Sequence, residues 1–92
     1  MKLEELQDIV EELYRYLITN DKAEDASRIQ DIKNSLKNGN VLDNKQSLRR
    51  LVAMCSVKYL GDVDIKEFDN PNDWWNFLSK VSALSNEVLN EY

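Results

Sequence analysis

The sequence predicts an all-α fold: one four-helix domain over residues 1–92, with an acidic loop before the last helix. Three observations predict it. Apolar residues return at steps of three and four along four successive stretches, the repeat of one buried helix face. Chain breakers are scarce, two Gly and one Pro, and they fall between those stretches. A length of 92 residues leaves room for one core and none for a cleft between two lobes.

Residues 3–18 carry Leu3, Leu6, Val10, Leu13 and Leu17 on one stripe, widened by Ile9 and Tyr16. Glu4, Glu5 and Asp8 sit near the start, where acids complement the helix dipole. Thr19-Asn20-Asp21 breaks the pattern. Residues 22–38 carry a thinner stripe, Ala23, Ala26, Ile29, Ile32 and Leu36, which places this helix at the edge of the core. Gly39 follows it and suits a left-handed C-cap. Asp43 with Gln46 resembles a capping box that opens a third helix, with Leu48, Leu51, Val52, Cys55 and Tyr59 as its stripe, Met54 beside it, and Gly61 at or just after its end.

Residues 61–70 read as a loop or helical turn, with Val63, Ile65 and Phe68 tucked against the bundle. Asn70-Pro71-Asn72-Asp73 is a strong helix start: Asn caps, Pro fits the first helical position and Asp73 lies in the first turn. The last helix then runs to about residue 90 on Trp74, Phe77, Leu78, Val81, Leu84 and Val88.

Composition narrows the function classes. Hydrophobic residues at 42% suffice for a core, and charged residues at 32% suit a soluble surface. No apolar run approaches the ~20 residues that span a bilayer. The opening Met-Lys-Leu-Glu-Glu-Leu puts acids where a signal peptide needs an apolar stretch, so a cytoplasmic location is expected, without a membrane partner. There is no His, the usual general base near neutral pH and the commonest metal ligand. The single Cys55 forms neither an internal disulfide nor a Cys-based zinc site, and its place on an apolar stripe reads as a core thiol. No enzyme, cofactor or metal is therefore expected. Asp62-Val63-Asp64 opens like a calcium loop, but Lys66 and Glu67 stand where an oxygen ligand and a Gly are needed.

Charge is segregated along the chain. Residues 1–20 carry net −3, residues 21–39 are neutral, residues 40–60 carry +3 and residues 61–92 carry −5. The densest acidic stretch is Asp62, Asp64, Glu67, Asp69 and Asp73, broken only by Lys66. Carboxylates on a loop held by a rigid bundle raise the encounter rate with a cationic protein. Trp74 projects onto the core stripe. Trp75, rotated by about 100°, falls at the core margin, where an amphipathic ring suits an interface anchor. Tyr14 lies off its stripe in the same way, and Tyr16 and Tyr59 belong at the core edge. Lys45, Arg49, Arg50 and Lys58 make the third helix the one basic segment. A recognition helix can look like this, but the acidic whole argues against nucleic acid, and pairing with neighbouring acids explains these bases as well.

By its size, its net charge of −5, its acidic Asp62–Asp73 segment and its lack of catalytic residues, the chain resembles the small helical immunity proteins of bacterial toxin systems, those of contact-dependent growth inhibition among them. The resemblance implies a non-enzymatic protein that binds a cognate toxin domain, often a basic nuclease, and neutralises it. Asp62, Asp64, Glu67, Asp69 and Asp73 would be the electrostatic contacts and Trp75 the apolar anchor. Two other expectations stand beside it: a regulator or adaptor that binds protein or nucleic acid through the basic third helix, and a bundle that self-associates.

Overall fold

The computed structural model describes residues 2–56 and 58–91, the side chains of Asn38 and Val41 excepted. Four helices follow in order: α1 (Lys2–Thr19), α2 (Ala23–Asn38), α3 (Val41–Met54) and α4 (Pro71–Asn90). A short 3-10 turn, Leu60–Asp62, lies between α3 and α4, and no strand occurs among the described residues. Each helix packs against its two neighbours in a closed ring, α1 on α2, α2 on α3, α3 on α4 and α4 on α1. Tight connections make the first three antiparallel in turn. Lys2 Nζ lies 3.4 Å from Glu87 near the end of α4, while Tyr16 near the end of α1 meets Phe77 near the start of α4, so α4 also runs antiparallel to α1. The result is an up-down-up-down bundle of 36 × 22 × 22 Å.

The stripes form the core. Leu6, Val10, Leu13 and Leu17 of α1 are fully buried, as are Ala26 and Ile29 of α2, Leu48 and Leu51 of α3 and Val81 of α4. Each buried Leu contributes about 1.5–3 kcal/mol, so packing rather than intrinsic propensity holds these helices. The thin stripe of α2 goes deeper than its composition suggests: Ile32 and Leu36 are buried too, and only Ala23 remains exposed. Ser85 is fully buried and donates its hydroxyl to the Val81 carbonyl, 2.7 Å away, which satisfies it within α4.

The start of α4 follows the expectation, with Pro71 at its first position and Asn70 Oδ1 accepting from the Asn72 amide at 2.9 Å. Three boundaries differ. The cap of α3 is Asn40, whose Oδ1 accepts from the Asp43 amide at 2.9 Å, so Asp43 and Gln46 lie inside the helix rather than opening it. Gly39 is extended, φ −80° and ψ 164°, and needs no left-handed freedom. A Cβ there would stand 2.5 Å from the Ser35 carbonyl oxygen, so close approach is what requires glycine. The left-handed residue is Asp21, φ 60°, where the Lys22 amide turns back to the Leu17 carbonyl at 2.9 Å.

The third difference is the end of α3. It stops at Met54, well short of Gly61, and Met54 rather than Cys55 is the buried residue. Continuing the helix would carry the chain past the bundle at about 1.5 Å per residue. Instead it folds across the bundle end, burying Leu60 fully and Ile65 to 6% exposure. Tyr59 is left exposed, its hydroxyl held by Arg28 of α2.

Candidate functional site

Residues 61–70 cross the end of the bundle where α1 finishes and α4 starts. Val63 and Phe68 pack against the core beside buried Ile65, as their apolar spacing predicts. Phe68 enters an aromatic cluster with Tyr16, Trp74 and Phe77. Its ring centre lies 5.1 Å from that of Tyr16 and 5.5 Å from that of Trp74, and Trp74 and Phe77 stack at 5.8 Å. Such pairs add about 0.5–1.5 kcal/mol beyond their burial.

The two tryptophans divide the work of fixing the loop. The buried Trp74 donates its indole N–H to the Leu60 carbonyl at 2.8 Å. Trp75 donates to the next carbonyl, Gly61, at 2.9 Å, and keeps 39% of its surface exposed. Its polar atom is thus committed to the loop, and only its ring face is available to a partner.

The five acids do not share one environment. Asp62, Asp64, Asp69 and Asp73 are exposed and make no ion pair among the described residues. Asp62, Asp64 and Asp69 stand around one cleft of about 290 Å³, with Val63, Ile65, Phe68, Pro71 and Trp74 also lining it. Asp73, in the first turn of α4, and Trp75 lie outside that lining. Among the described residues no group of three carboxylates or thiols converges as a metal site requires. The arrangement is an anionic rim over an apolar floor, suited to a broad cationic surface.

Glu67 has a different job from the one its charge suggests. Its carboxylate accepts from Asn20 Nδ2 at 2.8 Å and from the Thr19 hydroxyl at 2.9 Å. Hydrogen bonding from Asn20, then from Thr19, holds its carboxyl below the usual range. The side chain expected to contact a partner is instead engaged with the end of α1. Asn20, 8% exposed, uses every polar atom it has: Nδ2 also donates to the Tyr16 carbonyl at 2.7 Å, and Oδ1 accepts from the Lys66 amide at 2.8 Å. In the sequence Thr19 and Asn20 mark only a helix end. The aromatic periodicity of Trp74 and Phe77 pointed to the cluster, but nothing near Asn20 signals Glu67.

Elsewhere, Cys55 is half-buried and burial pushes its thiol up to about 12, so it stays protonated at neutral pH. Glu11 of α1 bridges to Lys33 of α2, which with burial working against it holds its carboxyl below the ordinary value. Lys45, Arg49, Arg50 and Lys58 make no ion pair among the described residues, although Arg50 shares a groove with Asp31 and Asp43. The expected pairing of these bases with neighbouring acids is therefore not found. No described helix is long and apolar enough to cross a membrane. The chain matches no protein-family model, no curated protein and no solved structure.

Proposed function

We propose that this chain is a non-enzymatic binding protein of the immunity type, which covers a cationic toxin domain with the acidic end of its bundle. The observation that carries the reading is the cleft at residues 61–74, where Asp62, Asp64 and Asp69 surround an apolar floor and find no cation of their own among the described residues. Carboxylates left unneutralised on a fixed loop repel one another, and a basic partner relieves that repulsion on docking. A nuclease is the toxin class this chemistry fits, because its phosphate-binding cations are the groups such a rim would occupy. Asp73 extends the field, and the exposed ring of Trp75 supplies an apolar anchor at its margin. Glu67 has a supporting role.

The experiment compares capture by the native chain and by the D62K/D64K/D69K variant from the organism that makes it. The expected result is a basic protein captured only by the native chain, whose growth inhibition co-expression of that chain relieves. An acidic captured protein, or equal capture by the variant, contradicts the reading.

The unpaired bases of α3 favour a second reading, in which that helix binds an anionic partner, nucleic acid included. A gel shift with DNA and RNA that weakens steeply with salt and fails in R49E/R50E would support it.

A further inference from the structure

We propose that residues 61–70 form a strap that opens from the bundle end as a unit, and that Asn20 with Glu67 is its latch. The inference deepens the reading above, because the strap carries Asp62, Asp64 and Asp69 and its opening would disperse the rim; the opening itself requires no partner.

The hydrogen-bond layout sets the strap apart. Backbone bonds within it are local, from Val63 to Leu60 at 3.1 Å and from Phe68 to Ile65 at 3.1 Å. Among the described residues no backbone–backbone bond ties residues 61–70 to a helix other than the Asn70 carbonyl that begins α4. Lifting the strap therefore leaves the helical ladders intact, the condition for an opening below the cost of global unfolding. Its attachments are side-chain contacts of three kinds. The indoles of Trp74 and Trp75 grip the Leu60–Gly61 end, and Ile65 and Phe68 plug into the core. At the centre, Asn20 holds the Lys66 amide and the Glu67 carboxylate together, 46 and 47 residues away in sequence.

The bond pattern of the latch does not require charge. A Gln at position 67 keeps an oxygen to accept from Asn20. Its amide can donate to the Thr19 hydroxyl, which then gives its own proton to the Arg15 carbonyl at 2.9 Å. An Ala keeps neither bond. The Gln and Ala variants thus separate a latch from an electrostatic contact.

The test is native-state hydrogen exchange by NMR on the full chain near neutral pH, with no partner present. It reads the Val63 and Phe68 amides, whose own acceptors the substitutions leave in place, against the Val81 amide in α4. The native chain is expected to exchange Val63 and Phe68 faster than Val81. Asn20→Ala should speed Val63 and Phe68 by about 10-fold or more, the effect of one lost hydrogen-bonding group, and leave Val81 unchanged. Glu67→Ala should move the same two amides, and Glu67→Gln should stay near the native rates. Equal acceleration of Val81, unchanged Val63 and Phe68 in both Ala variants, or Glu67→Gln behaving like Glu67→Ala would overturn the strap. Failure here leaves the acidic face intact as a docking surface, and failure of the capture experiment leaves the strap standing.

Discussion

The three connections of this bundle are built by two different rules. Residues 20–22 and 39–40 turn the chain within two or three residues, using backbone bonds to the helix just left: Lys22 to Leu17 at 2.9 Å, Gly39 to Ser35 at 2.6 Å. The connection from Cys55 to Asn70 is far longer and is fastened by side chains from α1, α2 and α4. Turns closed by their own backbone carry no surplus surface. A segment fastened from outside can hold carboxylates toward solvent while its apolar residues face the core, and here that segment carries the acidic rim.

The largest way to break the contrast is Trp74→Ala. It removes a ring that is 2% exposed, the bond to Leu60 and the centre of the aromatic cluster, and it should cost about 3–5 kcal/mol in urea unfolding. A loss below about 1 kcal/mol would mean the long connection does not depend on α4 as described. The counterpart in a short turn is Gly39→Ala. Its new Cβ would meet the Ser35 carbonyl oxygen at 2.5 Å, and the expected cost is about 1–3 kcal/mol by the same measurement, without loss of the strap's exchange protection.

How much of this was legible beforehand differs between the two kinds of connection. The four helices and the cap at Asn70 follow from period and local chemistry, because partners lie within a turn of each other. The stop of α3 at Met54 was not legible, since the stripe continues to Tyr59 and only the burial of Leu60 under Trp74 explains why the helix ends early. The acids of the rim were readable as a charge run. The separation of Glu67 from Asp62, Asp64 and Asp69 was not, because it depends on Asn20, which meets Glu67 only once α1 and the loop are brought together. Gly39 was singled out correctly as a special residue, but for its backbone angle rather than for the carbonyl beside it.

A smaller pair of substitutions sharpens the comparison. Asn40→Ala and Asn70→Ala each remove a side-chain cap, at 2.9 Å in both cases, and each should cost about 1 kcal/mol in thermal unfolding. Only Asn70→Ala should also speed exchange at Phe68, because only that cap borders the strap. Equal effects at Phe68 would erase the distinction between the connections.

The smallest expected effect is a pH dependence at Glu67. Its folded carboxyl lies below the ordinary value, so its ionised form favours the folded chain above that value, and the advantage fades as pH falls through the lowered one. The stability of the native chain relative to Glu67→Gln should therefore be constant near neutrality and shrink on acidification below about pH 4. A difference that grows on acidification contradicts the latch geometry.

The most direct measurement of the central claim is the association rate of the captured partner with the native chain and with D62N/D64N/D69N, at low and at high salt. The account predicts a native rate that falls steeply with salt and a variant about 10-fold or more slower at low salt, the two converging as charge is screened. Equal rates for the two chains at low salt would contradict it.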